Sequence, residues 1–273
     1  MKKLIRIEQI KILNYIPFQI LLGLYVIAIV LGLVIYPLID KQIPLISLSD
    51  VFRFPDVWPF MTWITEPYNI MLALIVIMLT TNEFNNQTFK TQVIYGLSRK
   101  QLIHQKLILI LLLATVATLL TGLTSILLGL SHSYKLTYGI AMENIWMLLP
   151  YFLSSCTYMI IGLFFALIIN NTALAILGFL GYRTFLEPVL FLIFRERELR
   201  WFFPMRANTK LNPVPNLIEL FQRKVDPEES FDESAMDILP DGLPLYVNVL
   251  LVIGYCTVLI FLSYRIMNRK KLS

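Results

Sequence analysis

The sequence predicts an all-α integral membrane protein with six transmembrane helices, both termini on the cytoplasmic side and an N-terminal interfacial helix. Three observations predict it. Of 273 residues, 57% are apolar and only 15% charged, where a soluble domain carries roughly a quarter charged residues; the mean hydropathy is +0.70. The apolar residues gather into six runs, each long enough for the ~20 residues that cross a bilayer. The basic residues concentrate in alternate connections between those runs. This composition excludes disorder and argues against a soluble globular domain.

Residues 1–14 are short and basic, with Leu4, Ile5, Ile7, Ile10 and Leu13 among the charges. They are expected to lie on the inner surface as an amphipathic helix. The apolar stretch after Lys2 and Lys3 is too long for a cleavable signal, and no small-residue cleavage site follows it. The spans are then expected at about 15–39, 59–81, 102–130, 145–169, 172–194 and 244–267. Glu66 and Pro67 interrupt the second run. An alternative start at Pro67 suits a proline in a first turn. It would leave 49–65 on the outer surface, with Trp58, Trp63 and Tyr68 as an aromatic belt. The third run carries a small and polar face, Ala114, Thr118, Gly122, Ser125 and Gly129, for helix packing or for lining a route. Asn170–Asn171 leaves almost no loop, so runs four and five form a tight hairpin. The connection 195–243 opens with alternating Arg and Glu, continues with Trp201-Phe202-Phe203, a segment expected to dip into the outer interface, and ends in an acidic tract. That tract has neither the glycine turn nor the ligand spacing of a calcium loop. Residues 268–273 form a basic tail.

With both termini inside, the inner segments hold 12 basic and two acidic residues, and the outer segments 10 basic and 15 acidic. The positive-inside rule selects this orientation. The net charge of +5 therefore points to a membrane surface rather than nucleic acid.

Groups for covalent chemistry are scarce. The sequence holds no P-loop, no HExxH and no GxSxG; Gly96-Leu97-Ser98-Arg99 lacks the second glycine. Two cysteines and two histidines, scattered along the chain, give neither a disulfide framework nor a metal site. Arg183 and Glu187 are the only ionisable residues expected at depth. Four residues apart, they share a helical face and are expected to pair, either as a structural ion pair or as a substrate or proton contact at a subunit interface. Pro188 should loosen the helix beside them.

The segment 82–101 is the longest inner connection. Asn82 or Asn85 can cap a short helix there, with Glu83 at its positive end. Gly96 is placed to end it in a left-handed conformation, and Ser98 with Gln101 forms a capping box for the third span. The result is a short helix joined rigidly to two spans, with Phe84, Phe89, Val93 and Tyr95 as apolar anchors for a soluble partner.

Glu83-Phe84, Thr88 five residues on, Gly96-x-Ser98-Arg99 and the later Lys106 resemble the permease subunits of ABC-2 type transporters. Arg6-Ile7-Glu8 with Lys11 is similar to the family's N-terminal helix, and the topology agrees over the whole chain. The outer connection is longer than the family's short re-entrant pair. The resemblance implies an exporter in the cell (inner) membrane whose permeases pair as homo- or heterodimers. Each binds a separate ATP-binding subunit through the coupling segment, with Glu83, Phe84, Thr88, Gly96, Ser98 and Arg99 at the junction, beside the anchors Phe89, Val93 and Tyr95. ATP and Mg would sit on that partner, leaving this chain without a cofactor or catalytic residue. The apolar, aromatic spans suit a hydrophobic or amphipathic cargo: a lipid, a peptide or a drug. The competing class is a polytopic membrane scaffold or membrane enzyme acting through 195–243.

Overall fold

Helices apolar around their whole circumference bury every face, in protein or in lipid. The structure, a computed structural model, describes residues 15–40, 51–133, 137–194, 198–214 and 243–270, with only the backbone for 32–40 and 198. The expected interfacial helix 1–14, residues 271–273 of the tail and most of the 195–243 connection lie outside the described residues.

Every regular element among the described residues is helical. Helix α1 spans Ile16–Asp40. Helices α2 (Val57–Thr65) and α3 (Asn69–Asn85) join through a 3₁₀ turn at Glu66–Tyr68. The short α4 covers Thr88–Ile94 and the long α5 Arg99–His132. Helix α6 (Tyr138–Met142) leads through a 3₁₀ turn into α7 (Leu148–Ile168). Helices α8 (Thr172–Gly181) and α9 (Glu187–Ile193) are joined by a π turn at Tyr182–Leu186. A 3₁₀ turn at Glu198–Phe202, α10 (Pro204–Thr209) and α11 (Leu245–Arg269) are the last described elements. Among the described residues, five segments are long and apolar enough to cross a membrane: Val57–Asn85, Arg99–His132, Tyr138–Ile168, Thr172–Ile193 and Leu245–Arg269. The chain is thus an all-helical membrane protein. In α1, Ile16–Leu31 is an apolar helical stretch.

Helix α7 is the hub, packed on α3, α5, α8 and α11. In its apolar window 72% of residues are buried, against 11% in the α8–α9 segment and 17% in α11, so the last two stand at the periphery. Small residues set the closest approach: a Cβ on Gly162 of α7 would meet the Ala73 carbonyl oxygen of α3 at 3.0 Å. The small face of α5 also packs. The Phe54 ring occupies the space a Cβ on Gly129 would need, and Leu148 closes on Gly122, which answers the route alternative in favour of packing for these two glycines.

Pro67 neither starts nor breaks the second segment. Its missing N–H and the clash of its ring are absorbed by the 3₁₀ turn, and helix continues on both sides. Residues 57–65 are therefore not a surface segment. Trp58 is 1% exposed and its Nε1 donates to the Ala141 carbonyl at 2.9 Å, so it belongs to an aromatic cluster with Phe52 and Phe60 rather than to a belt.

Candidate functional site

Two places concentrate polar chemistry: the end of the bundle that carries α4, and a cluster at the level of Glu66.

At the α4 end, Gln87 turns the chain with φ +51° and α4 runs for seven residues. Gly96 ends it at φ +92°, with Gly96 N–H donating to Val93 and Leu97 N–H to Gln92, both at 3.0 Å. This is the double closure of a helix on a left-handed residue. Ser98 then caps α5: its Oγ accepts from Gln101 N–H at 3.3 Å, and Gln101 Oε1 accepts from Ser98 N–H at 2.8 Å. Gly96 and Ser98 thus do locally what the sequence assigns them.

Glu83 does not start α4. It lies in the last turns of α3, 2% exposed, paired with Lys106 of α5 (1% exposed) at 2.7 Å. The apolar residues also divide differently. Phe89 is 1% exposed within the core and stacks edge-on against Phe84 at 4.7 Å; Phe84 and Val93 are half-buried against the same core. Of the four expected anchors, Phe89 is thus taken up by the bundle itself, because α4 folds back onto it. What remains outward is the tip, Ile94 at 74% and Tyr95 at 84% exposure, with Thr88 half-buried.

Two further cations tie this end together. The Arg99 guanidinium donates to the Asn268 carbonyl at 2.6 Å and to that of Met267 at 3.4 Å, holding the last carbonyls of α11 as a C-terminal cation should. Lys270 Nζ donates to the Leu167 carbonyl and Asn170 Oδ1 at the end of α7 and lies 4.1 Å from the Phe84 ring centroid. Burial pushes the Lys270 ammonium down to about 8. Together these contacts join the ends of α3, α5, α7 and α11 around the base of α4, which itself packs through Phe89 on Phe84.

The second cluster lies inside the bundle. The expected Arg183–Glu187 pair is replaced by another. Arg183 Nη2 is 3.9 Å from Glu66 Oε2, and the Arg183 guanidinium carbon sits 4.9 Å from the Tyr158 ring centroid. Tyr158 donates its hydroxyl to Glu66 Oε1 at 2.5 Å. Glu187 instead accepts the Arg206 backbone N–H at 2.6 Å on Oε1. The physical reason is Pro188, which cannot donate to the Thr184 carbonyl. The helix widens into the π turn, where Glu187 N–H bonds back to Tyr182, five residues earlier. The extra residue in that turn disrupts the α-helical register on which i,i+4 pairing depends. Glu66, Tyr158 and Arg206 were missed as partners. The signal available was Glu66 itself, a carboxylate inside an apolar run.

Helix α10 dips back into the bundle. Met205 packs with Ala73, Ile77, Tyr158 and Phe179, and Ala207 and Leu211 join the main core, so the aromatic stretch leads into a helix seated on the bundle. Between α9 and α10 lies a pocket of ≈ 450 Å³ lined by Arg183, Thr184, Glu187, Pro188, Phe191, Leu192, Met205, Arg206 and Thr209. Glu187 Oε2 and Arg206 Nε are buried without a hydrogen-bond partner, which is costly unless something fills the place.

The fold and these two clusters define a class, a membrane-embedded helical bundle with a clamped terminal helix and a charged pocket on its flank. The chain matches no protein-family model and no curated protein sequence.

Proposed function

We propose that the chain is the permease subunit of an ATP-driven exporter. It would carry six spans in the cell membrane with α4 on the cytoplasmic side, paired with a second permease. The carrying observation is the mechanical one: α4 is short, ends in an exposed apolar tip, is seated on the core through Phe89, and is joined at both ends to α3 and α5, whose ends are tied to α7 and α11 by Glu83–Lys106, Arg99 and Lys270. A helix of seven residues is marginal alone; fixed in this way it moves only with the spans. Force applied to the tip by a closing ATPase dimer therefore reaches the bundle. The residues that resemble the ABC-2 permeases, Glu83, Phe84, Gly96, Ser98, Arg99 and Lys106, are those that build this junction. Phe89 and Val93 serve it from the inner face, and Ile94 and Tyr95 are the contact for the ATP-binding subunit. ATP and Mg belong to that subunit.

The test replaces Ile94 and Tyr95 together with Asp. Both side chains project outward, so thermal stability should stay within about 0.5 kcal/mol of wild type. ATPase activity co-purifying with the tagged chain from its native membranes should fall to background. Wild-type ATPase content in that variant, or no ATPase with the wild-type chain, defeats the proposal.

A further inference from the structure

We propose that the pocket between α9 and α10 is a headgroup site for an amphiphile carrying both a phosphate and a protonated amine, as a phosphoethanolamine lipid does. This names the cargo class of the export reading and rests on it for transport, while the binding itself needs no ATPase.

Several buried polar atoms here form no hydrogen bond. Glu187 is 4% exposed; its Oε1 accepts the Arg206 backbone N–H and the Tyr182 hydroxyl is near the carboxylate, but Oε2 makes no hydrogen bond. The Arg206 guanidinium lies against rings, 4.6 Å from the Phe191 centroid and 5.5 Å from Trp201, with Nε unpartnered. Arg183 touches Glu66 only at 3.9 Å, an ion pair without a hydrogen bond. The ≈ 450 Å³ pocket thus presents two guanidinium forks and one free carboxylate oxygen. Guanidinium forks match phosphate oxygens, and a buried carboxylate oxygen requires an N–H or O–H donor. Arg200 and Lys210 face the Trp201 ring beside Arg206, so cations exceed carboxylates here and suit a phosphate, while the buried Glu187 Oε2 calls for a donor, which the ligand's amine supplies.

The chains of such a ligand also have a place. A second hollow of ≈ 490 Å³ opens on the same helical segment, lined by Phe165, Gly178, Gly181, Tyr182, Phe185 and Val189, among others. Its rim is exposed: Phe185 by 72%, and Leu192, at the neighbouring pocket, by 66%. This is the outer flank of the segment with the fewest buried residues in its apolar window, so an occupant enters sideways, from lipid.

The test uses the purified, delipidated chain in neutral detergent, titrated separately with phosphatidylethanolamine, phosphatidylcholine and phosphatidylglycerol; bound lipid is counted by native mass spectrometry. Phosphatidylcholine has the phosphate but no N–H donor, and phosphatidylglycerol lacks the cation. Wild type should retain the ethanolamine lipid about tenfold more tightly than either, the scale of one charged hydrogen bond. Glu187→Gln keeps an oxygen for the Arg206 N–H and removes the charge, so the ethanolamine preference over phosphatidylglycerol should vanish. Arg206→Gln should weaken all three. Equal retention of the three lipids by wild type overturns the proposal, and that comparison needs no variant to fold. An ethanolamine preference that survives Glu187→Gln overturns it as well. Glycerophosphoethanolamine competing as well as the intact lipid would remove the amphiphile from it. Loss of ATPase association leaves all these readings unchanged, so failure of the export proposal is seen separately.

Discussion

Lys106→Met, Glu83→Gln and their combination form a cycle whose outcome follows from burial. The two charged groups lie 2.7 Å apart with side chains 1% and 2% exposed. Removing Lys106 leaves a carboxylate, and removing the Glu83 charge leaves an ammonium, where little water reaches. Each single change should therefore cost about 3–5 kcal/mol. The double change removes both charges together and should cost no more than about 2 kcal/mol, leaving a coupling of at least ~4 kcal/mol. At roughly 2–4 °C per kcal/mol for a chain of this size, each single variant should melt about 6–20 °C early, with the double variant much closer to wild type. The protein supplies its own reporter. Cys156 and Cys256 are free and buried, so a thiol-reactive dye reads unfolding as they emerge. Single-variant shifts under ~1 kcal/mol, or a double variant equal to the sum of the singles, would refute the reasoning that this pair closes the α3–α5 junction.

Three other outcomes follow. Gly96→Ala places a Cβ in open space but at φ +92°, so it should cost about 1–2 kcal/mol through backbone strain alone, read in the same thiol melt; an unchanged melting temperature counts against the left-handed closure. Arg183→Met should couple with Glu66→Gln and be additive with Glu187→Gln, because Arg183 contacts the first carboxylate and the Arg206 N–H holds the second; coupling to Glu187 alone would restore the i,i+4 pair. Lys270 has a folded pKa of about 8, below its ordinary 10.5, because of burial. The unfolded chain thus binds more protons between those values, and stability should rise as pH goes from about 8 to 10.5. Lys270→Met should flatten that rise, and a slope identical to wild type would show that another group sets it.

Local chemistry was legible in the sequence wherever it depends on neighbours along the chain. The Ser98–Gln101 capping box and the Gly96 closure are four- and six-residue patterns, and both form. Apolar runs long enough to cross a bilayer gave the helical segments, since length and hydropathy are additive properties. What depends on pairing across the fold was not legible. Glu83 reads as an N-terminal residue of α4 because acids suit that position, yet Lys106 lies 23 residues on and binds it at the other end of a neighbouring helix. Phe89 reads as an anchor for a partner because the direction in which α4 folds back is tertiary information. Arg183 and Glu187 read as a pair under α-helical periodicity, which Pro188 and the π turn break. Glu66 was visible as a charge in an apolar run, but its partners Tyr158 and Arg183 come from α7 and from the π turn.

The two polar clusters share one element. The helical run from Val57 to Asn85 carries Glu66 near its middle and Glu83 near its end, 17 residues apart, or about 25 Å at 1.5 Å per residue. Its flank is locked to α7 at Ala73 and Gly162, where the approach leaves no space for a Cβ, and its buried residues run almost unbroken from Leu72 to Thr81. Close packing resists bending from Asn69 to Asn85, up to the 3₁₀ turn at Glu66–Tyr68. On the export reading, a push on the α4 tip therefore reaches Glu83 first and then the turn that carries Glu66. At Glu66 the contact that yields is the 3.9 Å approach to Arg183, not the 2.5 Å bond to Tyr158. Arg183 also lines the pocket with Glu187 and Arg206, so on the export reading the same displacement that begins at the tip alters the charge facing the headgroup.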